Sequence, residues 1–268
     1  MTYYQELDAI LFDLDGTVWK DFKLIDGAAE TIHTLQDAGK RVIGLSNRGT
    51  HSRTQIAAYF QEQGIHWEKE DIIMSSYLAA DYLQTHYPKL PVWVLGEEGL
   101  REELQEAGLT LAAKPEDADW LVISLHIGVT YHDLNQAFRA VIHGARILAT
   151  NQDPVFPGKD GLQLDVGGLI GAIEASTGKK TDIIVGKPSH FMYQKVMQQA
   201  GSEPEKTMIV GDSLSSDIAM GAMFGLKTAL VLTGNTTKEQ AAISSIKPDI
   251  ILPSIKELHS LKKLEEIR

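Results

Sequence analysis

Ala9-Ile-Leu-Phe-Asp-Leu-Asp-Gly-Thr17 decides how the rest of the chain is read. Four apolar residues bounded by polar groups read as a short strand that runs directly into Asp13 and Asp15. In an open parallel sheet, ligands bind beyond the carboxyl ends of the strands, where these two acids stand. Two carboxylates held close suit a hard divalent cation such as Mg2+. They equally suit divided acid–base work, because like charges push their pKa values apart. Gly16 permits close backbone approach, and Thr17 adds a hydroxyl and an N–H. The plain alternative is an acidic turn. An EF-hand is excluded: Leu14 is apolar, Gly16 falls at the wrong position, and no Glu closes a twelve-residue loop.

Outward from this stretch, short apolar runs alternate with helical patterns. A helix is expected over 27–38 and closes at Gly39. A strand follows over 41–45, then a helix over 50–63 that closes at Gly64. Strand–helix–strand–helix implies a parallel sheet with right-handed crossovers. The rhythm returns near the C-terminus, with strands over 182–185, 207–210, 228–232 and 249–252 and helices over 191–200 and 215–224. The middle alternates too, with strands over 92–95, 120–124 and 147–149 and helices over 97–107, 131–142 and 168–176. Two hydrophobic systems predict two domains: 1–87 with 181–268, and an insert over 88–180.

Three further strand ends carry chemistry. Leu45-Ser46-Asn47-Arg48-Gly49 offers a hydroxyl, an amide and a fixed cation just before a helix N-terminus that favours an anion. Gly186-Lys187-Pro188 places a lysine able to neutralise a phosphoryl oxygen or a nucleophile. Val210-Gly211-Asp212-Ser213 turns sharply at Gly211 and aims Asp212 at the sheet edge, with Asp217 five residues on. Each alone has a structural explanation as a turn or helix cap; four together at one sheet edge do not. The chain has no P-loop, Gly-x-Gly-x-x-Gly opening a helix, Gly-x-Ser-x-Gly or His-Glu-x-x-His, which removes those nucleotide, esterase and zinc-hydrolase readings.

Composition sets outer limits. The chain has 268 residues and 25 Lys and Arg against 36 Asp and Glu, a formal net charge of −11. A negative field repels nucleic-acid phosphates and anionic lipid, so neither a nucleic-acid nor a membrane partner is expected. Cys is 0, which excludes disulfide and thiolate chemistry. The N-terminal stretch carries two acids and no Arg or Lys before its first apolar run, unlike a signal peptide. No stretch approaches the ~18–20 apolar residues of a membrane span. The expectation is a soluble, cytoplasmic metabolic enzyme.

Asp13-Leu-Asp15-Gly-Thr17, Ser46, Lys187, and Gly211-Asp212 with Asp217 occur in the order of the four motifs of the haloacid dehalogenase (HAD) superfamily, and the chain resembles its phosphatases over essentially its whole length. The insert, with the segment from Gly144 to Asp153, resembles the NagD-like, C2-capped branch. The resemblance implies an α/β fold: a Rossmann-like parallel-sheet core with an inserted α/β cap. It implies that Asp13 attacks phosphorus and that Asp15 serves as acid and then base. Mg2+ would be held by Asp13, the Asp15 carbonyl and Asp212, with Asp217 and Ser213 behind these ligands. Ser46, Lys187 and backbone N–H groups near Gly16, Thr17 and Asn47 would position the phosphate. Arg48 stands where NagD relatives usually carry a second Asn, so it alters the charge beside the substrate. Cap residues His126, Asn151 and Asp153 are expected to choose the substrate. The implied activity is hydrolysis of small phosphorylated metabolites, foremost sugar phosphates, with nucleotides or glycerol- and glycolate-type phosphates as alternatives. A phosphomutase, a receiver-like domain and a phosphate-binding module stand behind it. A homodimer through the cap is also expected.

Overall fold

A computed structural model describes residues 6–158 and 161–260. Its larger sheet has six strands in the order Ile250–Leu252, Lys227–Val231, Thr207–Gly211, Ala9–Asp13, Arg41–Ser46 and Ile72–Met74. Every residue of Ala9–Asp13 is buried. The strand pairs parallel on both sides, with Phe12 opposite Val210 on one and Gly44 on the other. A strand enclosed this way must be apolar along its whole length, which is why Ala9-Ile-Leu-Phe12 does not alternate. The chain places its second long strand on one side of Ala9–Asp13 and returns to the other side only at Thr207–Gly211. That reversal is a topological switch point, and Asp13, Ser46 and Asp212 all lie at the strand ends around it.

The second sheet is all parallel, in the order Ile183–Ile184, Arg146–Ala149, Trp120–Ile123 and Val92–Leu95. Tyr131–Ile142 and Val166–Thr177 bury Ala137, Ala140, Val141, Leu169, Ile170 and Ile173 in the same core as Leu121, Ile123 and Ile147. Thr130 starts the first of these helices with a capping box, its side chain and that of Asp133 each satisfying the other's backbone N–H.

Several elements differ from the sequence expectation. Ile72–Met74 and the helix Ser75–His86 were not anticipated. Nor was the antiparallel hairpin of Val155–Gly158 and Gly161–Leu164. The helix expected over 215–224 begins as a π-helical turn, Leu214–Ile218, and continues as Ala219–Phe224 to Gly225, whose φ of 77° no branched residue would adopt easily. The strand expected over 182–185 shortens to Ile183–Ile184 and hydrogen-bonds to Arg146–Ala149 in the smaller sheet. The chain forms two compact units, one with residues up to Ser46, 57–73 and from Tyr193 on, the other with 47–56 and 74–192. Among the described residues, no helix is long and apolar enough to cross a membrane.

Candidate active site

In the first unit, Asp13, Asp212 and Asp217 each turn one carboxylate oxygen to a common point, and these oxygens lie within 4.8 Å of one another. All three residues are buried. Asp13 ends its strand, and Asp212 follows Gly211 at the end of the adjacent one. Asp217 is brought in by the π-helical turn and accepts a hydrogen bond from the Ser213 N–H at 3.2 Å. A Cβ at Gly211 would overlap the Asp217 side chain, so this approach requires glycine. Asp212 is held by backbone: the Asn235 N–H donates to its Oδ2 at 2.6 Å, and the Thr236 N–H to its carbonyl at 3.1 Å. Three buried carboxylates repel and are costly without a cation among them. An all-oxygen donor set of this charge fits a hard divalent ion.

Asp15 lies outside this group of carboxylates. Its Oδ1 accepts the Trp19 indole N–H at 2.9 Å, and its Oδ2 accepts the Ser46 hydroxyl at 3.4 Å. The turn between is tight. The Leu14 carbonyl accepts the N–H groups of Thr17, Val18 and Trp19, and the Gly16 N–H donates to the Trp19 carbonyl at 2.7 Å. Gly16 takes φ +87°, and a Cβ there would meet Asp212. The Thr17 hydroxyl is buried without a hydrogen-bond partner among the described residues.

The second unit gathers another set. The Asn47 Oδ1 accepts the Lys187 N–H at 2.8 Å, and its Nδ2 donates to the Lys187 carbonyl and to Asp153 Oδ2, both at 3.2 Å. Asn151 Nδ2 donates to the same Asp153 oxygen at 3.0 Å. The Asn47 side chain thus holds both Lys187 and Asp153. Lys187 is 3% exposed. Arg48 donates to the Thr50 hydroxyl at 3.3 Å. Asp165 caps Val166–Thr177 by accepting the Val166 N–H, and burial pushes its carboxyl from 3.8 to about 6, with the Asp153 charge adding to the rise and Arg48 opposing it. The His126 carbonyl accepts the Val129 N–H at 3.2 Å.

Of the residues singled out from the sequence, the structure brings together Asp13 with Asp212 and Asp217, Asp15 with Ser46, and Asn47 and Asn151 with Asp153. The sequence reading set Asp217 behind the expected metal ligands; in the structure one of its carboxylate oxygens lies within 4.8 Å of those of Asp13 and Asp212. It missed Trp19, Asp165 and the loop Thr233-Gly234-Asn235-Thr236, whose Thr233 hydroxyl donates to the Gly16 carbonyl. One signal was present for the loop: it follows a recognised strand, as the four motifs do.

Comparison with known proteins agrees with this geometry. Residues 10–110 match the haloacid dehalogenase-like hydrolase family, and residues 184–258 match the HAD-hydrolase-like family. The chain is 49% identical over 252 residues to the sugar-phosphatase AraL of Bacillus subtilis (strain 168), covering 94% of this chain and 92% of that protein. It superposes on a p-nitrophenyl phosphatase from Archaeoglobus fulgidus with a TM-score of 0.89 and 32% identity, covering 95% of this chain and 99% of that one. For a glycerol phosphate phosphatase from Mycobacterium tuberculosis in complex with magnesium, the TM-score is 0.87 and the identity 29%, over 97% and 79% of the two chains. The chain belongs to the haloacid dehalogenase-like hydrolases.

Proposed function

We propose that this chain hydrolyses small sugar phosphates with Mg2+, through a phosphorylated Asp13. That it is a phosphoric monoester hydrolase is what the phosphatase relatives have in common. The finer reading rests on one observation above all. Asp13 and Asp15, two residues apart, are held by different partners: Asp13 among the buried acids, Asp15 between an indole and a serine hydroxyl. Different surroundings let the two carboxylates divide the work, one attacking and the other carrying the proton.

In this mechanism an Asp13 oxygen bonds to phosphorus as the ester P–O bond breaks. The leaving alkoxide takes its proton from Asp15. A water then attacks the same phosphorus, giving its proton to Asp15; phosphate leaves and the Asp13 carboxylate is restored. Asp13, Asp212 and Asp217 would hold the cation, together with the Asp15 carbonyl. The ion supplies positive charge against the phosphoryl oxygens. Ser46, Lys187 and the N–H groups of Gly16, Thr17 and Asn47 orient the remaining oxygens. Residues 1–87 and 181–268 carry this chemistry, and 88–180 serve as the cap. Arg48, Asn151 and Asp153 contact the leaving group in this reading. His126 belongs to the cap in this reading as well.

The test is a phosphate-release panel over pentose, hexose, triose, nucleoside, glycerol and glycolate phosphates, with Mg2+ and with chelator. Sugar phosphates should give the highest kcat/KM, and Asp13→Asn should give no turnover while remaining folded. Strong preference for a glycerol or glycolate ester would move the substrate assignment to that class. Substrate loss without proportional phosphate release would indicate a phosphomutase.

A further inference from the structure

We infer that Trp19 is a positioning residue for Asp15, fixing the direction in which its carboxyl group meets the reacting ester. The inference rests on the acid–base role proposed for Asp15. The Trp19 indole is fully buried and cannot turn. Phe60 stacks on it with centroids 4.7 Å apart and planes at 9°, Tyr59 meets it edge-on at 5.1 Å, and Phe22 packs at 5.0 Å. The backbone fixes the same pair, since residues 15 and 19 form an isolated bridge and the Gly16 N–H closes the turn onto the Trp19 carbonyl. The direction of the indole N–H is therefore set before any substrate arrives, and it points at Asp15 Oδ1.

With Oδ1 held by the indole, Oδ2 is turned to the Ser46 hydroxyl. Ser46 is assigned to the phosphate, so Oδ2 faces the reacting group. Satisfying a buried indole is not by itself the explanation. The indole N–H groups of Trp67 and Trp120 are also buried, and among the described residues neither finds an acceptor.

The experiment compares kcat/KM, which reports the step that breaks the ester bond, for two kinds of leaving group. p-Nitrophenolate leaves without help from a proton, whereas the alkoxide of a glycerol or hexose phosphate needs one. Trp19→Phe should lower kcat/KM for the alkyl esters by about 10–100-fold, within the ~10²–10⁴ attributed to a general acid, and for p-nitrophenyl phosphate by less than about 3-fold. Replacing Trp19 with benzothienylalanine removes the N–H with almost no change in shape, and should reproduce the split if the Phe variant folds poorly. Equal losses on both substrates, or no loss on either, would overturn the proposal. Asp15→Asn, run alongside, separates the failures: a split with Asp15→Asn but not with the Trp19 variants ends this inference alone. No split with Asp15→Asn ends the acid–base reading beneath it.

Discussion

Asn47 and Lys187 pair as an amide pairs with a peptide: the Asn47 side chain accepts the Lys187 N–H at 2.8 Å and donates to the Lys187 carbonyl at 3.2 Å. The pair lies 140 positions apart in the chain and fixes the backbone of a buried lysine. Asn47→Ala should leave two backbone groups unsatisfied, at about 1–3 kcal/mol in stability. A fall in the urea midpoint with an unchanged slope checks this. If the pair also places the lysine, kcat should drop at least tenfold under saturating substrate.

Asp217 contributes an oxygen to the same point as Asp13 and Asp212. Asp217→Asn removes one negative charge without changing shape. The Mg2+ concentration giving half-maximal phosphate release should rise by roughly 10–100-fold, the usual penalty for weakening a metal's surroundings. Chelator should abolish wild-type activity, and added Mg2+ should restore it. An unchanged metal dependence in the variant would place Asp217 outside the ion's environment.

Gly234 faces Asp212 so closely that a Cβ would overlap its Oδ2, while the neighbouring Asn235 N–H donates to that same oxygen. Gly234→Ala should push Asp212 off its position and cost at least about 10²-fold in kcat/KM, the scale of a small misplacement at a reacting centre. Gly171→Ala is the control. Gly171 sits within Val166–Thr177 with open space around its would-be Cβ, so the change should raise stability by about 0.5–1 kcal/mol and spare activity.

Asp165 is a carboxyl that burial pushes up to about 6. A raised folded-state value means the folded protein binds its proton more tightly than the unfolded chain. Stability from this group is therefore lost as pH climbs from the ordinary 3.8 through about 6, and stays lost above it. That interval corresponds to at most roughly 3 kcal/mol. Asp165→Asn keeps an oxygen to cap Val166 and carries no charge. It should be more stable than wild type at pH 7.5 by urea unfolding, with the difference shrinking at pH 4.5. An equal difference at both pH values would show that charge burial is not the cause.

The central strand was readable because its environment leaves a simple mark. A strand paired on both sides is apolar throughout, and Ala9-Ile-Leu-Phe12 can be little else. Helices that stop at Gly39, Gly64 and Gly225 were readable for a similarly local reason, the left-handed turn that follows them. The strand-end residues Asp13, Ser46, Lys187 and Asp212 could be singled out because each stands in a short local motif. Trp19 was not, since nothing in its spacing says that its N–H reaches Asp15 rather than a carbonyl or water. Asp165 was missed because the sequence shows a helix cap, and its raised proton affinity comes from the burial that packing imposes.

By itself, then, the amino-acid order determined the alternation of strands and helices, the acids at the strand ends and the family they signal. These depend on neighbours in the chain. Tertiary structure alone decided that Ile183–Ile184 joins the smaller sheet. It alone brought the Asp217 oxygen to those of Asp13 and Asp212, and tied Asn47 to Lys187 across 140 positions. A two-residue strand carries no label for its partner, and a carboxylate's direction depends on the turn that carries it. Both are chosen by which long-range packing best satisfies the buried backbone and charge.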